Sequence, residues 1–205
     1  MDLGNMSLLA ATTIGFAHAF EADHLIAVSS IVTKRNNFAQ AARDGVYWGL
    51  GHTSTIFLIG IIMILGRVFI AEETFQYLEA VVGFMLIGLG AWRLTKLASH
   101  QHGGSSHTHS HSVSYGVGLI HGLAGSGILV LAIMSTMDTA ASGLVFLLVF
   151  GIGSTIGMLV ASGLFSIPFW KDKSWSKYFT RPLAILSGLL CIGLGVFIVY
   201  ENLIQ

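Results

Sequence analysis

GFAHAFEADH, residues 15–24, lies inside an apolar run that extends from about Met6 to Val32 without a Lys or Arg. The run exceeds the roughly 20 residues a helix needs to cross a bilayer, and its middle carries His18, Glu21, Asp23 and His24. A carboxylate at the bilayer centre costs roughly 2.5–3.5 kcal/mol on insertion scales. Two of them beside two imidazoles persist in a spanning segment only where something offsets that cost, and a bound cation does so most simply. The spacing H-x4-D-H adds geometry. On a regular helix Asp23 and His24 fall about 140° and about 240° around the axis from His18, with about 9 Å of rise between the two histidines. Glu21 falls about 60° from each histidine, between them. Either these groups serve different neighbours, or the helix unwinds locally and lets them converge, as discontinuous helices do at transporter midplanes.

Composition sets the class. Of 205 residues, 54% are hydrophobic and only 10% are charged, with a mean hydropathy of +0.77. Soluble domains carry roughly 25% charged residues, so an all-α integral membrane protein is expected, with the lipid bilayer as its first partner. A net charge of zero and a pI near 7.1 give no basis for a nucleic-acid partner. The single cysteine, Cys191, sits in an apolar stretch, which excludes a disulfide framework and a cysteine metal site. The first apolar run has no basic n-region or cleavage site ahead of it, so it is expected to be retained.

Six apolar runs of spanning length lie near 5–32, 45–66, 76–97, 113–137, 140–166 and 182–203. Nine of the ten basic residues fall in three connections: Lys34, Arg35 and Arg43; Arg93 and Lys96; Lys171, Lys173, Lys177 and Arg181. Only Arg67 lies on the other side, with Asp2, Glu72, Glu73, Asp138 and Glu201. The positive-inside rule then predicts a multi-pass protein of the cytoplasmic membrane with both termini outside. Pro168 and Pro182 are expected to end one helix and start the next.

The two halves resemble each other. GFAHAFEADHLIAVSSIVT (15–33) aligns with GLIHGLAGSGILVLAIMST (118–136), pairing His18 with His121. GLGHT (49–53) aligns with GIGST (151–155), pairing His52 with Ser154, and EAVVGFMLIGLGAW (79–92) aligns with AILSGLLCIGLGVF (184–197). A repeat three helices long inserts its second copy upside down, so the pattern predicts two inverted three-helix repeats, 1–99 and 113–205, with a site at their interface. Between them, residues 100–112 form a Gly/Ser/His tract with His100, His102, His107, His109 and His111. Such a tract cannot pack a core, and its imidazoles suit borderline metals held with little geometric selection. It is expected to be an auxiliary cytoplasmic loop.

His18, Asp23, His24, His52 and His121 all lie in apolar segments, and together they form the candidate metal site. Asp23 is either a ligand or an orienting partner of an imidazole. Nitrogen and carboxylate donors without thiolate suit Ni, Co, Zn or Cu(II). Glu21 is a further candidate that can carry a proton or attract cations. Thr53, Ser54, Ser126 and Ser154 are either polar lining or helix-packing hydroxyls. Two function classes fit these residues: a metal transporter, importing or exporting, and a membrane-embedded zinc hydrolase with an acid such as Glu21 as base.

HAFEADH is similar to the H-x4-D-H signature of the nickel/cobalt transporter family, and LGHTSTIF (50–57) resembles that family's second motif. HGLAGSG (121–127) and FGIGSTIGM (150–158) look like the shorter, urease-associated (UreH-like) branch of the family. Longer members carry an acidic motif where this chain has HGLAGSG. The resemblance implies a permease, not an enzyme, for divalent nickel or cobalt, with the metal handled by His18, Asp23, His24 and His52. No resident cofactor is expected beside the transported ion. The urease association implies nickel chaperones or urease assembly proteins as cytoplasmic partners. Import is the expected direction, and proton-coupled efflux is the alternative.

Overall fold

Four of the six apolar runs, 45–66, 76–97, 140–166 and 182–203, wind into the longest helices. The computed structural model describes residues 3–32, 38–68, 70–98, 111–124, 137, 139–170 and 173–204, and every regular element among them is an α-helix. α1 (Leu3–His18) and α2 (Ala22–Val32) are followed by α3 (Phe38–Gly66), α4 (Glu72–Ala98), α5 (Ser112–Ala124), α6 (Ala140–Trp170) and α7 (Lys173–Ile204). Four segments are long and apolar enough to cross a membrane: Phe38–Gly66, Glu73–Leu97, Ala140–Ile167 and Arg181–Ile204. The shortest has 24 residues, which is about 36 Å of helix against a hydrocarbon layer of about 30 Å. Large apolar side chains cover the outside. Leu58, Leu65, Phe84, Ile152, Leu189 and Phe197 are each more than half exposed, a surface that suits lipid rather than water.

Several expectations change here. The opening run is two helices, because α1 ends at His18 and α2 starts at Ala22. By length and composition these are only shorter apolar helices, Leu8–His18 and Ala22–Ile31. α3 starts at Phe38, several residues ahead of the expected span, and so draws Arg43 and Asp44 into the helix. Pro182 does not start the last helix. It lies inside α7, and α6 runs past Pro168 to Trp170. A proline removes one hydrogen bond to the carbonyl four residues earlier; for Pro182 that carbonyl lies ahead of the apolar window that opens at Arg181. The fourth run is described as α5 up to Ala124 and again at Met137, and 125–136 lie outside the described residues.

Glycines set how closely the helices approach. α3 packs mainly on α6 and α5, α4 on α7, and α1 on α6. Gly83 of α4 sits against the Gly195 carbonyl of α7, and Gly195 sits against the Gly83 carbonyl. Seven residues on, Gly90 meets Gly188 in the same reciprocal way. These pairs run in opposite directions along the two helices, so α4 and α7 are antiparallel. A Cβ at Gly90 or Gly195 would intrude on backbone, whereas one at Gly88 or Gly193 would meet nothing within 4 Å. α3 and α6 cross likewise, with Gly49 against Thr155 and Gly151 against Thr53. Thr53 Oγ1 donates to the Gly151 carbonyl at 3.0 Å, so its hydroxyl serves this crossing.

Candidate metal centre

The site is built where α1 stops. Phe20 N–H donates to the Ala17 carbonyl at 2.9 Å and Glu21 N–H to the His18 carbonyl at 3.1 Å, which tightens the last turn and turns the chain out of the helix. α2 then opens with the Glu21 carbonyl accepting from Leu25 N–H at 3.0 Å, and Asp23 Oδ1 accepts from His24 N–H at 2.9 Å. Asp23 thus stands in the first turn of α2, where a helix favours negative charge, and His18 ends α1, where it favours positive charge. The interruption also removes the angular problem of a continuous helix. The rings of His18 and His24 come within 4.6 Å, centroid to centroid.

His52, from the middle of α3, and His121, from α5, complete the cluster. The His52 ring lies 5.3 Å from His18 and 5.2 Å from His24, and the His121 ring lies 4.1 Å from His24. Asp23 bridges two imidazoles, with Oδ2 at 2.8 Å from His121 Nε2 and Oδ1 at 3.1 Å from His24 Nδ1. Two overlapping triads result, His18–His24–His52 and Asp23–His24–His121, and within each one donor atom per residue lies within 4.8 Å of the others. Donors at about 2.0–2.1 Å from one ion are at most about 4.2 Å apart, so adjustments of well under about 1 Å suffice.

Burial makes this arrangement unusual. His24, His52 and His121 are almost fully buried, yet His24 Nε2, both nitrogens of His52 and His121 Nδ1 have no hydrogen-bond partner among the described residues. Leaving a buried polar group unsatisfied costs about 1–3 kcal/mol. An ion that took these nitrogens as ligands would remove that cost. Aromatic rings close the cluster. Trp48, one turn before His52, stacks on His24 at 6.0 Å with planes 9° apart, and Phe150 of α6 lies 5.5 Å from His18.

The remaining sequence candidates divide. Glu21 Oε1 lies 2.9 Å from His18 Nδ1 and its side chain is 57% exposed, at the rim of the cluster. Ser154 is buried in α6 and its hydroxyl has no partner among the described residues. Ser54 is exposed and donates to the Leu50 carbonyl in its own helix. Cys191 contacts Ser30 Oγ at 3.1 Å, away from the imidazoles. Ser126, His100, His102, His107 and His109 lie outside the described residues. His111 is described and pairs with Asp44, 3.0 Å away. Asp44 and Trp48 are not among the residues that sequence reasoning singles out. The signal that finds them is the spacing Asp44–Trp48–His52, every fourth residue on one buried stripe of α3.

Imidazoles and a carboxylate gathered at a helix interruption, inside a bundle with membrane-length helices, define a multi-pass membrane protein with transition-metal donors in its interior. The chain is 38% identical over 184 residues to the urease accessory protein UreH of Bacillus sp. (strain TB-90), covering 82% of this chain and 81% of that one. It is 26% identical to a protein of Methanocaldococcus jannaschii named as a putative nickel/cobalt efflux system, over 98% of this chain and 96% of that one. It is 31% identical over 100 residues to the nickel transporter NixA of Staphylococcus aureus, covering 43% and 29%. The chain belongs to the nickel/cobalt transporter family, in its UreH-like branch. This is a family of transporters, not enzymes, which sets aside the zinc hydrolase reading. No family model matches the chain. No solved structure matches it.

Proposed function

We propose that the chain is a permease that carries Ni²⁺ or Co²⁺ into the cell through the cluster of His18, Asp23, His24, His52 and His121. The observation that carries this reading is the convergence of five donors on a helix interruption, with four buried ring nitrogens left without hydrogen-bond partners among the described residues. The ion passes as substrate, and the protein keeps no resident cofactor. Trp48 and Phe150 flank the imidazoles and limit leakage. Energetics favour import. A divalent ion gains roughly 4.6 kcal/mol per 100 mV of inward-negative potential, at about 2.3 kcal/mol per charge. At about 1.4 kcal/mol per tenfold, this sustains on the order of a thousandfold gradient without a coupling ion.

The architecture in this reading is six spans in two inverted repeats, 1–99 and 113–205, with α1 and α2 together as the first span and residues 100–112 as a cytoplasmic His-rich loop. The reciprocal glycine contacts support it. Gly15 sits on the Phe150 carbonyl while its aligned partner Gly118 sits on the carbonyl of Trp48, the aligned partner of Phe150. The same exchange relates Gly153 on Thr12 to Gly51 on Tyr115. Placing the basic connections in the cytoplasm puts both termini outside the cell membrane. Ions released inside would pass to nickel chaperones or urease assembly proteins. Nickel accumulation in cells expressing the chain tests the proposal: a rise that His24→Ala abolishes is expected, and lowered accumulation overturns the inward direction in favour of proton-coupled efflux.

A further inference from the structure

Asp44 carries a side chain only 2% exposed, and its carboxylate is paired with an imidazole: His111 Nδ1 lies 3.0 Å from Oδ1. His111 directly precedes α5, is 31% exposed, and stacks on Tyr47 with centroids 4.8 Å apart and planes 7° from parallel. Asp44 stands eight residues before His52 on the same buried stripe of α3, a rise of about 12 Å. On α5, His111 and His121 are ten residues apart, a rise of about 15 Å. The two helices pack along this length, with Gly118 on the Trp48 carbonyl and Gly122 on that of His52. Two carboxylate–imidazole pairs therefore lie along one seam, Asp23–His121 at 2.8 Å and Asp44–His111 at 3.0 Å, with Trp48 between them.

The packing does not require the second pair. At the aligned positions of the other half, the seam of α6 and α1 carries Phe146 and Leu8, both apolar. One end of the molecule thus carries the donor chemistry of the central cluster where its counterpart has two apolar residues, and His111, one of its two donors, is 31% exposed. We propose that Asp44 and His111 form a second divalent-cation station, completed by water, between the central cluster and the end of the bundle where α3 begins. An ion leaving the cluster passes Trp48 and meets a carboxylate and an imidazole before it reaches water. The open mouth makes this station the weaker and faster-exchanging of the two. This deepens the permease reading and rests on it for the ion's identity.

The test uses the full chain in nanodiscs with Co²⁺ alone, in a background where His100, His102, His107 and His109 are serine. Bound Co²⁺ per chain and its visible ligand-field spectrum are read. Two Co²⁺ per chain are expected in the background, one after Asp44→Asn or His111→Ala, and two again after Asp44→Glu, which restores a carboxylate. The Co²⁺ count separates coordination from a merely structural ion pair, because losing such a pair would leave the count unchanged. Equal Co²⁺ counts for the background and for Asp44→Asn overturn the proposal, whatever the central site does. His24→Ala is the independent control. An unchanged count there overturns the central cluster, while loss of one Co²⁺ on Asp44→Asn still supports the second station.

Discussion

One face of α3 presents Asp44, Trp48 and His52, and the aligned positions of α6 hold Phe146, Phe150 and Ser154. The two helices are otherwise alike: each has a glycine that receives the other's threonine, Gly49 with Thr155 and Gly151 with Thr53. What the halves share are the small residues that let backbones touch. What they do not share are the groups with metal chemistry. The same contrast holds one element earlier, where Asp23 and His24 align with Ser126 and Gly127, and only His18 finds an imidazole, His121, as its counterpart. On the proposed two-repeat architecture, both copies supply the frame, and the candidate metal donors are concentrated on one side of it.

The sharpest way to break this contrast is to remove a donor and its aligned partner in parallel. His52→Ala should lower metal uptake by more than about 100-fold, beyond the range typical of an outer-sphere partner, with the protein still inserted. Ser154→Ala should leave uptake near the parent's, since it removes no imidazole or carboxylate. Equal losses would mean that the two halves share the chemistry after all. The shared frame makes the next prediction. Gly90→Ala and Gly195→Ala should each destabilise by about 1–3 kcal/mol through overpacking, in equal measure, as read by thermal unfolding in detergent. Gly88→Ala and Gly193→Ala, which point into open space, should instead stabilise by about 0.5–1 kcal/mol. Smallest is the effect of replacing His100, His102, His107 and His109 by serine. Uptake should fall less than about tenfold, below what loss of an outer-sphere partner brings, and retention of metal by washed cells should change more than the initial rate.

The donors of the cluster are legible in the sequence because polar groups in apolar runs are expensive, and His18, Asp23, His24, His52 and His121 are conspicuous for that reason alone. The position of the interruption is not. Ala19, Phe20 and Glu21 include no glycine or proline, and the turn is held by the His18–Glu21 contact and two tightened backbone bonds that only the fold displays. Asp44 escapes for a different reason. It stands beside Arg43, just ahead of the apolar window, where a charged pair resembles a connection. Once α3 winds back to Phe38, the same residue faces inward. Pro182 misleads in the opposite sense, since a helix can run through a proline where the freed carbonyl lies outside the apolar layer.

His24 belongs to both triads. On the permease reading proposed above, a cation moving from the His18 and His52 side to the Asp23 and His121 side exchanges two ligands while holding the third. It then never stands bare in a low-dielectric interior, where losing all its ligands at once would be prohibitive. Two shallow wells joined by a common wall release their occupant faster than one deep well of the same donors, and turnover depends on release as much as on capture.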